Sequence, residues 1–599
     1  MIYHCEDHTC NYWDEGEKLP ERCPQCGRKL LRANEADMTG DDWTALGNTL
    51  WDAEASDKKR MVDCFRKAAY LGSAWGVCNL GICMEQGNGV EADPVQAFWL
   101  YQQAVEMGSL NAVCCLGVCY QYGIGTAPDA EKAAELYCKA AEYGSPRGQM
   151  LLARAFHDGI GVEADAAEAV HWVRAAAYQR YGEGMHRLGV CYEYGDGVEQ
   201  NWEHAVHWFR EAAESGVSVA MTDLGYCYEK GCGVEQSWEQ AFSWYRRGAE
   251  CGYPVSMSNL GLCYKRGYGV DQNWQEAIKW YEQGAQCGDL QSMHNLACCY
   301  ERGEGVEQNE ERALYWYRRS AEGGNGVAMC NLGWCYQRGY GVEQNEDRAL
   351  YWYRRGAEAG SVYCMFYLGW NYSNGVGVKQ NMTEAIRWYT AAAEGGNADA
   401  MHNLGWHYDH GEGVEQDMKK AICWYERAAE QNHPAAMNSL GECYAMGRGV
   451  PRDLETAMEW YRRAAELGEA MADYNMGWHL EQAGKLSEAY AHYRKAADGN
   501  DDSAWWALGR FYENGVVVAQ DGKEARRCYE TGEKLGSVKC KMRLARCKLL
   551  GIGGRREKKA GLDLCRQALE LAKESSEKED YGYEAEMNLL RRTIAENES

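Results

Sequence analysis

The chain of 599 residues carries a formal net charge of −26, and 46% of its residues are hydrophobic while 25% are charged. This balance is typical of a folding chain, and its acidic excess repels a phosphate backbone, so we expect no nucleic-acid partner. Because no stretch approaches about 18 uninterrupted apolar residues and the N-terminal residues lack a signal-peptide pattern, we expect no membrane contact and a cytoplasmic location. The 28 cysteines are then expected to be thiols and metal ligands.

A metal-binding segment is predicted at residues 1–34. Its candidate ligands are Cys5, Cys10, Cys23 and Cys26. The second pair stands in the sequence Cys-Pro-x-Cys-Gly, whose two-residue spacing lets both sulfurs reach one tetrahedral ion, and His8 could replace the first ligand. The segment resembles a zinc ribbon or a rubredoxin-like iron site, with structural Zn²⁺ the favoured metal and an unmetalled tail the alternative. Four protein ligands would leave no open position for metal catalysis.

The rest of the chain repeats with a period of 36 residues. Its marker is a glycine that follows Leu, or once Met, and the copies are Gly81, Gly117, Gly189, Gly225, Gly261, Gly333, Gly369, Gly405, Gly441 and Gly477. Ala153 and Ala297 occupy the two positions where the glycine is missing, so the 36-residue spacing continues across them. Positions within each repeat are numbered here from this small residue as zero.

Each repeat is predicted to fold as a helix, a turn and a second helix. In the repeat that begins at Ala328, a Gly-x-Gly-Val turn separates two amphipathic runs. Asn345 is placed to cap the second helix, and Gly360 to end it in a left-handed conformation. The same cap position carries Asn201, Asn273, Asn309, Asn381, Asp417 and Asp453. The sequence therefore marks both ends of the second helix.

These residues resemble the Sel1-like repeat family, which is related to the tetratricopeptide repeats. The matching positions are clear at Leu224, Gly225, Tyr228, Gly231, Gly233, Val234, Ala241, Trp244 and Tyr245. The resemblance implies an all-α, right-handed α-solenoid of about 14–15 helix pairs that serves as an interaction platform. Some secreted members of the family pair cysteines and have been associated with β-lactam binding, but Cys251 and Cys287 lack the regular partner here.

We expect the solenoid to span residues 41–571. Its first repeat, 41–72, lacks the Gly-x-Gly-Val turn and is predicted to be a degenerate cap. A repeat at about 473–504 is shortened, because its turn is reduced to a tetratricopeptide-like connection. Residues 577–599 are predicted to form a C-terminal capping helix with Leu589 and Leu590 facing inward.

One face of the first helices is a candidate peptide-binding groove. At 100° per residue, positions −2 and +1 fall away from the core arc of the helix, and related solenoids turn this side to their concave surface. The candidate residues are Asn259, Asn295, Asn331, Trp334, Trp370, Asn403, Trp406, Asn475 and Trp478. Asn side chains would fix a peptide backbone while indoles pack its side chains. The alternative is that the Asn side chains bridge neighbouring helices and the Trp side chains fill space.

The repeats nominate no catalytic residues. Cysteine recurs at position +2, beside the core arc, where a free thiol behaves as a small apolar group. The recurrent Gly-x-Gly joins two helices and lacks the third glycine of a dinucleotide site, and no nucleophile with its base is apparent. We therefore expect a monomeric, non-enzymatic scaffold or adaptor that binds a basic or apolar protein or peptide partner. The alternatives are an enzyme or effector acting on cell-wall fragments or β-lactams, by family analogy, and recognition by the zinc module with the solenoid as a spacer.

Overall fold

A computed structural model describes residues 2–5, 13–15, 30–33, 38–51, 55–578 and 584–598 of the protein. The chain divides into two compact units, Met1–Asn309 and Glu310–Ser599. Among the described helices, none combines the length and the apolar character that crossing a bilayer requires.

The first unit begins with three short strands, β1 (Ile2–Cys5), β2 (Trp13–Glu15) and β3 (Leu30–Ala33), which form an antiparallel sheet in the order β2-β1-β3. Its helices are α1 (Gly40–Thr49), α2 (Ala55–Tyr70), α3 (Ala74–Gln86), α4 (Pro94–Glu106), α5 (Leu110–Tyr122), α6 (Ala130–Glu142), α7 (Pro146–Asp158), α8 (Ala166–Tyr178), α9 (Gly182–Tyr194), α10 (Trp202–Glu214), α11 (Ser218–Lys230), α12 (Trp238–Glu250), α13 (Pro254–Arg266), α14 (Trp274–Gln286) and α15 (Leu290–Arg302).

The second unit is helical throughout its described residues. Its helices are α16 (Glu310–Glu322), α17 (Gly326–Arg338), α18 (Glu346–Glu358), α19 (Val362–Asn374), α20 (Met382–Glu394), α21 (Ala398–His410), α22 (Met418–Glu430), α23 (Pro434–Met446), α24 (Leu454–Glu466), α25 (Ala470–Gln482), α26 (Leu486–Asp498), α27 (Asp502–Asn514), α28 (Gly522–Lys534), α29 (Val538–Leu550), α30 (Lys558–Lys578) and α31 (Glu584–Glu598). Odd-numbered helices are the first helices of the repeats, and even-numbered helices are the second.

The turns and caps follow from the repeated residues. The side chain of Asn345 accepts a hydrogen bond from the backbone N–H of Arg348, which confirms the predicted start of α18. The equivalent caps at Asn201, Asn273, Asn381, Asp417 and Asp453 are also formed. Gly339 ends α17 with φ 72°, and Gly360 follows α18 with φ 82°. Both values lie in the left-handed region that favours glycine, so the helix ends are set locally.

The glycine at position zero is required by a close contact between the two helices of a repeat. A Cβ on Gly333 would lie 2.6 Å from the ring of Tyr353, the fully buried tyrosine of the second helix. The same arrangement recurs at Gly225 with Tyr245. The repeated glycine is therefore a packing requirement: it lets a large aromatic ring lie against the first helix.

The cysteines at position +2 are part of the core. Cys83, Cys119, Cys191, Cys227, Cys263, Cys299, Cys335 and Cys443 are all between 0% and 2% exposed. Burial raises the pKa of Cys227 and of Cys263 to about 12, so both are neutral thiols at neutral pH. These side chains act as small apolar groups, in agreement with the sequence.

Two departures from the regular repeat are visible in the second unit. Only Ala483, Gly484 and Lys485 separate α25 from α26, which is the shortened turn seen in the sequence. At the C-terminal end, α31 packs against α29 and α30. Leu590 is buried there, whereas Leu589 is only partly buried, so one of the two leucines predicted to face inward does so fully.

Candidate functional site

The residues of the predicted groove all lie on first helices. Asn259 and Asn295 belong to the first unit, on α13 and α15, and the other seven residues lie on α17, α19, α21 and α25 in the second unit. All are partly buried except Trp478, which is 38% exposed. They do not form one uniform surface, because the asparagines and the tryptophans have different surroundings.

A ladder of side-chain hydrogen bonds connects consecutive first helices. In this first-helix ladder, position −3 of one repeat contacts position −2 of the next: Asn475 donates to Asn438 at 3.0 Å, and His402 lies 3.3 Å from the hydroxyl of Ser439. In the first unit, His186 lies 2.7 Å from Asp223, and Asn295 lies 3.5 Å from Ser258. Asn295 and Asn475 are thus engaged with the preceding repeat, as the bridging alternative anticipates.

Trp334 and Trp370 are brought together. They line one pocket of about 350 Å³ between α17 and α19. The other lining residues are Gln337, Arg338, Gln344, Glu346, Phe366, Tyr367 and Val376. Two indoles, a phenyl ring and a phenol thus surround a cavity with one cationic and one anionic side chain at its boundary. We call this the aromatic pocket.

Ring stacking and hydrogen bonds fix the side chains that line the aromatic pocket. The ring of Tyr367 stacks on Tyr353 with centroids 5.2 Å apart and an interplanar angle of 6°. The Tyr353 hydroxyl donates to the side-chain oxygen of Gln337 at 3.0 Å, and the Gln337 amide donates to Asn371 at 2.9 Å. Asn371 is buried and donates in turn to the backbone oxygen of Tyr367 at 2.7 Å. This chain of bonds holds the pocket walls in place before any partner binds.

The pKa of Tyr367, one of the pocket's aromatic residues, depends on its burial and on a charge at the pocket boundary. Burial raises the pKa of Tyr367, while the nearby Arg338 guanidinium opposes that rise. The phenol is therefore neutral and able to donate a hydrogen bond at neutral pH. A ligand group in the pocket would meet apolar rings, one phenol and the Arg338 cation, an arrangement that suits binding and contains no nucleophile paired with a base.

Of the pocket residues that the sequence did not indicate, Phe366 and Tyr367 contribute the two additional aromatic rings. Their positions, −3 and −2, are those that carry hydrogen-bonding side chains in the ladder. An aromatic pair at these two positions was the available signal, because a phenyl ring such as that of Phe366 has no hydrogen-bonding group with which to form a rung. The other two candidate tryptophans, Trp406 and Trp478, lie on α21 and α25, and the ring of Trp406 stacks on His410 with centroids 4.3 Å apart.

The predicted metal site falls largely outside the described residues. Cys10, Cys23 and Cys26, with His8, lie in that part, and only the backbone of Cys5 is described, as the last residue of β1. Within the residues that the structure describes, no group of three or more His, Cys, Asp or Glu side chains is arranged to hold a metal ion.

The repeat itself identifies the family. The profile of the Sel1 repeat matches residues 76–109, 112–145, 146–181, 182–217, 218–253, 254–289, 290–325, 326–361, 362–397, 398–433, 434–469, 470–501, 504–537 and 538–573. The chain belongs to the Sel1 repeat family. Its 14 matched repeats begin in α3 and continue into α30, so this Sel1 repeat protein has the fold of a helical solenoid that generally serves as a protein–protein interaction scaffold.

Solved structures of Sel1 repeat proteins are similar to this chain. A protective antigen present in uropathogenic Escherichia coli strains is 32% identical, with 75% of this chain and 97% of that chain covered and a TM-score of 0.49. A Sel1 repeat protein from Oxalobacter formigenes is 33% identical, with 41% of this chain and 96% of that chain covered and a TM-score of 0.38. None of the curated proteins compared with this Sel1 repeat chain matches it.

Proposed function

We propose that this Sel1 repeat protein is a non-enzymatic scaffold that binds an extended, apolar or basic segment of a protein partner on the first helices of its second unit. The observation that carries the proposal is the convergence of Trp334 and Trp370 on the aromatic pocket. Trp and Tyr side chains in a preformed pocket are the usual anchors of protein interfaces, because they contribute large contact areas at low entropic cost.

The pocket dimensions and the charge of the chain support this class of partner. A cavity of about 350 Å³ lined by four aromatic rings has room for an aromatic or aliphatic anchor side chain. The net charge of −26 steers basic segments toward the protein and slows the approach of acidic ones. Glu346 at the pocket boundary offers a local partner for a cationic residue that flanks the anchor.

Capture of partners from the native lysate, quantified by mass spectrometry, tests the proposal. The intact chain is compared with a Trp334→Ala, Trp370→Ala variant and with a Trp406→Ala, Trp478→Ala control that removes the same number of indoles from α21 and α25. We expect a partner that is lost by the pocket variant and retained by the control, with far-UV circular dichroism unchanged in both. Equal capture by the two variants would contradict the pocket as the binding site.

We also propose that Cys5, Cys10, Cys23 and Cys26 hold a structural Zn²⁺ ion. The spacing of the cysteines supports it, and in the sequence Cys23 and Cys26 come after β2 and before β3. Metal analysis of the full-length chain should give one zinc per chain, and a Cys23→Ser, Cys26→Ser variant should give none. An equal zinc content in both proteins would contradict the assignment.

The proposed scaffold is a monomeric cytoplasmic protein. The buried thiols at position +2 support this location, because a reducing compartment keeps thiols free. Size-exclusion chromatography with light scattering should give the mass of one 67.5 kDa chain. A concentration-independent dimer mass would contradict the monomer.

A further inference from the structure

The first-helix ladder contains one rung made of two cysteines. Cys78 on α3 is at position −3 of its repeat, and Cys115 on α5 is at position −2 of the next. The rungs of His186 with Asp223 and of Asn475 with Asn438 use this same pair of positions, with contacts of 2.7 Å and 3.0 Å. The fold therefore places Cys78 and Cys115 on facing sides of the two helices, within one buried core cluster, where the two thiols influence each other's pKa.

A cation from the following repeat reaches the same sulfur. The guanidinium of Arg147, near the start of α7, donates to the Cys115 sulfur at 3.6 Å and to the side-chain oxygen of Asn111 at 3.0 Å. The bond to Asn111 fixes the guanidinium beside the sulfur. Arg147 itself is partly exposed, whereas Cys115 is 5% exposed and Cys78 is fully buried. Cys115 is thus the member of the pair nearer to solvent.

These contacts favour a thiolate at Cys115. The interaction with Cys78, together with the charge and the hydrogen bond of Arg147, lowers the pKa of Cys115 to about 7, against the effect of burial. The interaction with Cys115 raises the pKa of Cys78, and burial adds to the rise. The titratable and charged groups that face Cys115 are Cys78 and Glu85 from α3, Tyr101 from α4, Cys114 and Cys119 from α5, and Arg147 from α7. One member of the pair is therefore poised as a nucleophile and the other as a protonated thiol.

We propose that Cys115 and Cys78 are a peroxide-oxidisable pair that forms a disulfide between the first helices of two adjacent repeats. The Cys115 thiolate attacks one oxygen of hydrogen peroxide, the O–O bond breaks, and a sulfenic acid and hydroxide are formed. The Cys78 thiol then attacks the sulfenic sulfur, the S–O bond breaks, and the oxygen leaves as water. In sum, two thiols and one peroxide give one disulfide and two waters, so the two sulfurs supply the two electrons that reduce the peroxide.

A second buried pair provides an internal comparison. Cys330 on α17 and Cys364 on α19 also contact each other, at positions −3 and −5 of adjacent repeats. The Cys364 thiol donates to the backbone oxygen of Gly326 at 3.6 Å. Its pKa is also lowered, by Cys330 and Ser361 against burial, but no cation is among the groups that shift it. A thiolate at Cys364 would therefore lack the stabilising charge that Arg147 supplies at Cys115. The proposal therefore predicts that the rung at Cys115 is oxidised before the Cys330 pair.

The test uses the reduced full-length protein and substoichiometric hydrogen peroxide. After alkylation of the remaining thiols, a glutamyl endopeptidase separates the two cysteines by cutting at Glu85, Glu91 and Glu106. We expect a linked peptide, lighter by two hydrogens, that contains Cys78 and Cys115. It should form in Cys114→Ser and be absent in Cys78→Ser, where Cys115 should instead be trapped as a sulfenic acid by a dione reagent.

A rate profile separates the proposed chemistry from a structural role. Alkylation of Cys115 should follow a titration with a midpoint near pH 7, and at pH 7 it should be at least about tenfold faster than that of Cys227. The variant Arg147→Gln should move the midpoint upward and slow oxidation, with circular dichroism unchanged. Labelling of Cys115 at the rate of Cys227, an unshifted midpoint in Arg147→Gln, or a linked peptide found only after denaturation would each overturn the proposal.

Discussion

Two regions of the second unit use the same repeat positions in opposite ways. Across α21, α23 and α25, positions −3 and −2 carry His402 with Ser439 and Asn438 with Asn475, and the side chains join the first helices. On α19, Phe366 and Tyr367 occupy the same two positions, and a pocket lies between α17 and α19. The backbone of each repeat thus places positions −3 and −2 equivalently. The side chains at these positions determine whether adjacent first helices are joined by hydrogen bonds or leave a cavity between them.

The largest expected effect on stability comes from replacing the buried tyrosine of the second helix in one repeat of each region. Tyr353 and Tyr425 are both buried against the glycine of their repeats, so Tyr353→Ala and Tyr425→Ala should each cost about 3–5 kcal/mol in the free energy of unfolding. Urea denaturation followed by circular dichroism measures this cost. Because only Tyr353 supports Tyr367 and Gln337, Tyr353→Ala alone should also abolish partner capture. Loss of partner capture in both variants would contradict a specific role of the aromatic pocket in binding.

The free energy of unfolding of the ladder region should fall at acidic pH. Burial, together with the neighbouring His433, lowers the pKa of His402 to about 4. In the unfolded chain a histidine has an ordinary pKa of about 6.5 and takes up a proton first, so protonation favours unfolding. The stability contributed by neutral His402 is present above about pH 6.5 and is lost as the pH falls toward 4, by about 2 kcal/mol at pH 5.

The measurement is the difference in unfolding free energy between pH 7 and pH 5 for the intact chain and for His402→Gln. The subtraction isolates this side chain, together with its interaction with His433, from the more distant histidines, whose contributions are common to both proteins. We expect the variant to lose about 2 kcal/mol less between the two pH values. An identical pH dependence of the two proteins would contradict a buried, neutral His402.

The smallest effect is that of a single ladder rung. Asn475 donates to Asn438 at 3.0 Å and to Glu442 at 3.2 Å, so Asn475→Ala leaves the buried Asn438 side-chain oxygen without this donor and should cost about 1–2 kcal/mol. Asn259→Ala is the matched control, because Asn259 makes no side-chain hydrogen bond within the described residues. Urea denaturation should leave the control within about 0.5 kcal/mol of the intact chain. Equal costs for the two substitutions would argue against the ladder as a source of stability.

Local features of the sequence predict most of this fold. The caps, the left-handed glycines and the small residue at position zero each depend on neighbours within one repeat, so the period is enough to place them. The identity of the binding surface depends instead on contacts between repeats. Trp334 and Trp370 are visible as unusual residues at position +1, but their convergence depends on packing between α17 and α19, where Phe366 lies 32 residues after Trp334 in the sequence. Similarly, the contact of Cys78 with Cys115 becomes apparent only from the first-helix ladder.

The assignment of partner recognition to the aromatic pocket can be tested with a peptide that is selected against the full-length chain from a displayed random library. Its dissociation constant is measured by calorimetry for the intact chain, for Trp334→Ala with Trp370→Ala, and for the control Trp406→Ala with Trp478→Ala. Because each anchoring indole contributes about 2 kcal/mol or more, the pocket variant, which lacks two of them, should bind about a thousandfold more weakly. The control should bind within about threefold of the intact chain. Undiminished binding by the pocket variant would contradict the assignment of partner recognition to the aromatic pocket.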